Sequence, residues 1–155
     1  MKKLLIAAAV VLIAITTSSV VIAAGTNTLT VNATVVGTCG FNSATSIISF
    51  TLDPSSSADA TATTIPTFWC TRGTTVTAVT NNGLNFSGGS KRMKSTANPT
   101  EFIPYSIAMT PGSTTGSGKG TLINLTVTGT VLNANYINAL AVNDYTDTVV
   151  ITITP

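Results

Sequence analysis

The chain has 155 residues and a formal net charge of +2; 44% of its residues are hydrophobic, 8% are charged, two are cysteine and none is histidine. Histidine is the commonest metal ligand and titrates near neutral pH, so its absence excludes zinc sites and Ser-His-Asp hydrolysis. Four of the five acidic residues lie in predicted loops or turns, so we expect neither an enzyme nor a bound cofactor.

Residues 1–24 have the pattern of a secretory signal peptide. Lys2 and Lys3 precede an apolar run over residues 4–15, and small residues stand at Ala23 and Ala24. Twelve apolar residues are too few to span a membrane, which takes about 20. We therefore predict cleavage after Ala24, which leaves 131 of the 155 residues, with five basic and five acidic groups and no membrane span.

Export would place Cys39 and Cys70 in an oxidising compartment, where two cysteines of a small secreted domain usually pair. We expect a disulfide between them. A bond that closes a loop of about 30 residues stabilises by roughly 3 to 4 kcal/mol in the chain-entropy model.

Threonine supplies 29 of the 131 residues that remain, a composition suited to half-buried strands. A strict alternation opens the chain, in which Leu29, Val31, Ala33 and Val35 are apolar and the residues between them are polar. Further strands are predicted over residues 39–52, 63–71 and 74–80. The turn at residues 81–83, Asn-Asn-Gly, closes this half of the chain.

The second half continues the pattern. Strands are predicted around Met93 and over residues 102–109, 122–132 and 146–154. Residues 111–120 are predicted to be a polar loop, and residues 133–141 have no clear pattern. In the last strand Val149, Ile151 and Ile153 form one apolar face.

The basic cluster Lys91, Arg92 and Lys94 has no aromatic neighbour in the sequence and belongs to a chain that is neutral after cleavage. The chain lacks the basic surface that nucleic-acid binding needs, so we expect a solvated hairpin or strand edge and no nucleic-acid partner.

Short strands separated by turns, with one disulfide and no convincing helix, predict an all-β immunoglobulin-like sandwich. Residues 29–35 have two possible roles in such a fold. They can be the first strand of their own sandwich, or a strand donated to a neighbouring molecule.

Several motifs together resemble one family, the spore coat protein U domain family, which includes the major pilins of archaic chaperone-usher pili. The matching segments follow one another along the chain: Thr38-Cys39, Trp69-Cys70-Thr71-Arg72-Gly73, Arg92-Met93, Pro104-Tyr105-Ser106-Ile107, and residues 145–153 from Tyr145 to Ile153.

The resemblance implies an incomplete immunoglobulin-like subunit of six strands, with a donor-strand segment at residues 25–37 and a pilin domain at residues 38–155. Leu29, Val31, Ala33 and Val35 would enter the groove of a neighbouring subunit. Val149, Ile151 and Ile153 would line one wall of the acceptor groove, and Pro155 would meet the basic residues of a periplasmic chaperone. The partners would be an outer-membrane usher, that chaperone and other copies of the chain. The product would be a surface pilus for adhesion and biofilm formation.

Two alternatives stay open from the sequence. One is a self-complete secreted sandwich that binds carbohydrate or protein through aromatics such as Tyr136 or Trp69, although Trp69 is expected to pack on the disulfide. The other is a coat or matrix protein of the same fold that no usher assembles.

Overall fold

The computed structural model describes residues 24–155, and the signal peptide predicted for residues 1–24 lies outside this part except for Ala24. These residues fall into a unit that ends at Ala33 and a compact unit, Thr34–Pro155. No helix within the described part of the chain is long and apolar enough to cross a membrane.

The unit Thr34–Pro155 is all-β, as predicted. Its strands are β1 Cys39–Phe41, β2 Ala60–Thr64, β3 Thr67–Cys70, β4 Thr75–Thr80, β5 Lys91–Ser95, β6 Phe102–Thr110, β7 Ser113–Thr115, β8 Ile123–Asn124, β9 Thr126–Val131, β10 Tyr145–Thr146 and β11 Ile151–Thr154. A single 3-10 turn, Asn133–Asn135, lies in the segment without a clear sequence pattern.

Five strands form the larger antiparallel sheet, in the order β10-β5-β6-β9-β2. Two three-stranded sheets, β1-β3-β8 and β11-β4-β7, make up the rest. This is an immunoglobulin-like sandwich, and alternation produces it: in β9, Val127, Gly129 and Val131 are buried while the threonines between them are not.

The core consists of two clusters. Phe68, Cys70, Val76, Leu125 and Val127 form the larger one, and Ile103, Val131 and Tyr136 form the smaller. Most of these residues belong to alternating faces predicted from the sequence. The predicted disulfide is confirmed, because Cys39 is bonded to Cys70 and joins β1 to β3.

Four predicted strands are shorter or more broken than expected. The strand predicted over residues 146–154 divides between β10 and β11, which belong to different sheets. The strand predicted over residues 39–52 is regular only in β1. The one predicted over residues 63–71 breaks at Pro66, which has no N–H to donate, and its halves join different sheets. The one predicted over residues 122–132 divides between β8 and β9 in the same way, and the predicted loop 111–120 contains the short strand β7.

Residues 29–35 form no strand in this structure, although their alternation predicts one. An extended segment has regular ladder bonds only when a partner strand lies beside it. Alternation alone therefore does not produce a strand here.

Candidate functional site

A groove separates two stretches of the compact unit, residues 41–54 on one side and residues 139–151 on the other. Three adjoining cavities follow it, with volumes of about 320, 190 and 480 Å³. The first cavity begins at Phe41 and Val150, and the last ends near Pro54 and Asn143. The groove therefore runs the length of both stretches.

The first wall of the groove is an extended segment without a ladder. Ile48, Phe50 and Leu52 are half-buried and point inward at a spacing of two residues, while Ile47 is exposed. Among residues 24–155, no hydrogen bond between backbone groups involves residues 44–52, and the Thr45 carbonyl accepts only the Ser43 hydroxyl at 3.0 Å. This wall has the side-chain pattern of a strand but lacks the partner that would satisfy its peptide groups.

The floor of the groove is formed by β9, and a glycine there allows the first wall to lie close to that strand. Gly129, in the middle of β9, sits under Phe50, and a Cβ at this position would lie 2.6 Å from the Cζ atom of the Phe50 ring. A glycine inside a strand commonly marks such a close approach.

The second wall is the stretch that contains β10 and β11. β10 pairs with β5 of the larger sheet, whereas β11 pairs with β4 of another sheet, so the chain changes sheets between Thr146 and Ile151. Asn81 holds the crossing on one side, since its Oδ1 accepts the Val150 N–H at 2.9 Å and its N–H donates to the Val150 carbonyl at 3.0 Å. Val149 and Ile151 line the cavities between the walls.

Three hydrogen bonds to Asp147 connect the second wall to other strands and loops, and we refer to this group as the Asp147 clasp. The Asp147 carboxylate accepts hydrogen bonds from the Tyr105 hydroxyl at 2.6 Å, the Leu84 N–H at 2.9 Å and the Asn85 amide at 3.3 Å. Burial raises the pKa of Tyr105 well above its ordinary value, and the adjacent Asp147 carboxylate raises it further. The clasp therefore joins the groove wall to β6 and to the loop before β5.

Asp144 ends the loop that precedes this wall. Its carboxylate accepts from the Ala97 N–H at 2.6 Å, the Ser95 hydroxyl at 2.8 Å and the Thr96 hydroxyl at 2.9 Å. The Ala97 bond, followed by the Ser95 bond, lowers the pKa of Asp144 below its ordinary value. Both acids thus have structural partners, which their positions beside a predicted turn did not indicate.

The predicted site residues fall into four places. Val149 and Ile151 line the groove, whereas Ile153 packs against the larger core cluster. Pro155 is exposed, and its Cβ lies near Gly37. The predicted donor residues are all exposed in the described chain, with Leu29 83% and Val31 81% accessible, and Ala33 and Val35 similarly open.

Sequence reasoning missed the groove's first wall, the Gly129 floor and the Asp147 clasp. The only sequence signals were the spacing of Ile48, Phe50 and Leu52 and a glycine within a strand. None of these signals says which segments meet.

The two aromatic residues considered for ligand binding are not placed as expected. Tyr136 is only 2% exposed and donates its hydroxyl to the Ala58 carbonyl at 2.6 Å, so the expectation that it is an exposed binding residue is wrong. Phe68, not Trp69, lies in the core with Cys70, because alternation along β3 turns Trp69 to the other face. There Trp69 contacts Gly40 and the Lys119 ammonium, 5.2 Å from its ring centre.

The basic cluster does have an aromatic neighbour, contrary to the sequence-based expectation. Antiparallel pairing of β5 with β6 brings Phe102 beside Lys94, and the Arg92 guanidinium lies 4.2 Å from the Phe102 ring centre. This contact is long-range across strands, so inspection of neighbouring residues could not reveal it. No group of three His, Cys, Asp or Glu side chains in residues 24–155 is arranged to hold a metal ion.

Comparison with known proteins gave one family and several similar solved structures. The family model for the Spore Coat Protein U domain matches residues 25–152. No curated protein matches the chain. Among solved structures, a chain in the crystal structure of the CsuC-CsuE chaperone-tip adhesion subunit pre-assembly complex from archaic chaperone-usher Csu pili of Acinetobacter baumannii matches with a TM-score of 0.48 and 20% identity. The match covers 77% of the present chain and 40% of that chain.

Proposed function

The chain belongs to the spore coat protein U domain family, as its motifs predicted, and we propose from this that it is a structural pilin which polymerises by donor-strand exchange. Residues 25–37 of one subunit fill the groove of the next. The subunits form a fibre on the cell surface that serves attachment and biofilm formation.

One observation carries the proposal, namely the apolar groove whose first wall lacks a strand partner. An extended segment laid between residues 44–52 and residues 147–151 completes a ladder and covers Ile48, Phe50, Val149 and Ile151 together. The exposed alternating residues of the N-terminal segment have the period that such insertion requires.

The free energy available from insertion is sufficient for a stable contact. Burying side chains of the size of Leu29, Val31, Ala33 and Val35 contributes several kcal/mol at about 25 cal/mol per Å² of apolar surface. Each backbone hydrogen bond that forms adds roughly 0.5 to 1.5 kcal/mol. Ordering the segment offsets part of this gain.

The geometry of exchange explains a fibre. A segment on one subunit and a groove on the next make a head-to-tail contact, and such a contact grows without end unless a rotation closes it. An unfilled groove with open peptide groups would also aggregate, so the subunit needs a protecting chaperone before assembly and an usher at the outer membrane.

The test is an SDS gel of protein collected from the cell surface, with and without boiling. Strand exchange predicts a ladder at monomer spacing that collapses to monomer only after heating, since the inserted strand resists detergent until the subunit melts. A single monomer band in both lanes would contradict the proposal and favour a self-complete sandwich.

A matched pair of variants separates exchange from other association. Val31→Asp places a charge in a neighbour's apolar groove and should abolish the ladder, whereas Asn32→Asp changes the adjacent polar position and should leave it intact. Near-ultraviolet circular dichroism should report an unchanged fold in both. If Val31→Asp unfolds the monomer, the segment belongs to its own sandwich.

A further inference from the structure

The outward face of the larger sheet has a composition unlike that of the groove. Residues opposite each other in the ladders point to the same side of a sheet. This rule places on one face Thr146 of β10, Arg92 and Lys94 of β5, Phe102 and Ser106 of β6, Thr128 and Thr130 of β9, and Thr61 and Thr63 of β2. We refer to this surface as the outer face; it spans about 19 Å across its five strands at roughly 4.8 Å per strand.

Arg92 is held in one position on the outer face. Its guanidinium stacks 4.2 Å from the Phe102 ring centre, and its Nε donates to the Asn85 carbonyl at 2.9 Å. The Asn85 side-chain amide in turn donates a hydrogen bond to the Asp147 carboxylate. Within residues 24–155 the Nε bond is the one hydrogen bond that the Arg92 side chain makes, so the terminal nitrogens keep their donors for an external acceptor.

Four of the five side-chain carboxylates of the compact unit form hydrogen bonds with groups other than Arg92. Asp53 accepts a hydrogen bond from Ser55, and Asp59 accepts one from the Asn133 N–H. Asp144 accepts from the Ser95 hydroxyl, and Asp147 accepts from the Tyr105 hydroxyl. Lys94 adds a second cation, 5.8 Å from the same Phe102 ring centre. A fixed guanidinium with free donors is preorganised to bind a planar carboxylate in a bidentate manner.

Beyond Arg92 and Lys94, rows of hydroxyl groups cross the outer face from β6 to β2. Ser106 is opposite Thr130, which is opposite Thr61, and Thr128 is opposite Thr63 with 3.3 Å between their hydroxyl oxygens. A polymer that offers carboxylates to Arg92 and Lys94 and hydroxyls to these rows matches the polar groups of the outer face, which also includes Pro104 and Ala108.

We infer that the outer face binds a carboxylated polysaccharide, with Arg92 as the main carboxylate contact. The face suits nucleic acid less well, because the Arg92 guanidinium covers the Phe102 ring that a base would need for stacking. The inference concerns a single subunit and does not depend on polymerisation, although repetition of the face along a fibre would multiply a weak affinity.

The experiment measures binding of the purified full-length protein to immobilised polygalacturonate, with dextran as the neutral polymer and double-stranded DNA as the competing anion. Polygalacturonate should bind at about 0.05 M salt and lose most of its affinity at about 0.5 M. Dextran should bind at least tenfold more weakly, since it offers no carboxylate. Equal binding of dextran, or tighter binding of DNA than of polygalacturonate, overturns the inference.

Variants assign the contact to the outer face. Arg92→Gln should weaken polygalacturonate binding about tenfold. Arg92→Lys should have an intermediate affinity, because lysine keeps the charge but cannot donate two parallel hydrogen bonds to one carboxylate. Lys119→Gln makes the same change in charge beside Trp69, away from the face, and should bind like wild type. Thr130→Val, which keeps shape and strand preference, should lower affinity a few-fold.

Arg92 packs on Phe102, so its replacement can disturb folding. Lys94→Gln provides the independent test, because Lys94 contacts Phe102 less closely than Arg92 does. This variant should fold with an unchanged melting temperature and bind polygalacturonate several-fold more weakly. If Arg92→Gln and Lys94→Gln both bind like wild type, the face is not the site.

Discussion

Asp147 accepts three hydrogen bonds from two separate parts of the chain while its neighbours Val149 and Ile151 line an apolar groove. Such a half-buried carboxylate is stable only if its donors stay in place. The donors are Tyr105, Leu84 and Asn85, so this residue holds the groove wall together with Asn81 and the pairing of β10 with β5.

Replacing Tyr105 with Phe should lower the free energy of unfolding by about 1.5 to 3 kcal/mol at neutral pH, because a hydrogen bond to a charged group is lost. The folded state raises the pKa of Tyr105 above its ordinary value of 10.0. Its stabilisation is therefore complete below about pH 10 and declines as pH rises above that value. Urea unfolding between pH 7 and about pH 11 measures both effects.

Tyr145→Phe is the control for this change, because the Tyr145 hydroxyl makes only a long contact of 3.4 Å with the Leu140 carbonyl. It should alter stability by no more than about 0.5 kcal/mol. The interpretation of the clasp fails if Tyr105→Phe is as stable as wild type and keeps the full alkaline decline.

Gly129 is the second residue whose role is specific to the groove. Gly129→Ala should destabilise by about 1 to 3 kcal/mol, because the new methyl group forces the Phe50 ring out of its place. Gly112→Ala provides the comparison, since a Cβ there meets nothing within 4 Å. Thermal unfolding of both variants distinguishes a packing effect from a general effect of alanine, and equal melting temperatures would contradict the close approach.

At the scale of the element, β1 is only three residues long and depends on its links to β3. Replacing Cys39 and Cys70 together by Ser should cost about 3 to 4 kcal/mol, because the disulfide closes a loop with a sequence separation of 31. Denaturant unfolding of the double variant, compared with wild type under oxidising and reducing conditions, measures this cost. A double variant as stable as oxidised wild type would mean that the bond contributes little.

The strands that change sheets were hard to predict for a common reason. Periodicity records which side of a strand is apolar, but both sheets of a sandwich bury their apolar sides against the same core. The stretches of residues 60–70, 123–131 and 145–154 keep their alternation while they pass from one sheet to another. Pro66 is the one residue among them whose chemistry accounts for a break, since proline cannot donate to a ladder.

At the scale of the whole molecule, groove and donor segment should act as independent parts. A synthetic peptide of residues 27–37, added to the Val31→Asp protein, should fill the groove and raise its melting temperature. At a concentration of about 100 times its dissociation constant, the peptide contributes about 2.7 kcal/mol. Differential scanning fluorimetry against peptide concentration measures the effect.

The same peptide with Val31 replaced by Asp is the matched control and should produce no shift. If neither peptide changes the melting temperature, the groove does not accept this segment. Equal shifts by both peptides would indicate binding elsewhere on the surface.

The sequence alone determined the all-β class, the disulfide, the family and most of the core, because these depend on composition, alternation and the order of motifs along the chain. It also singled out Leu29, Val31, Ala33 and Val35 as an unusual apolar series. Only the tertiary structure decided which segments meet: residues 41–54 face residues 139–151, Gly129 lies under Phe50, and Phe102 supports Arg92. Each of these contacts joins residues far apart in the chain, and local pattern contains no information on distant pairing.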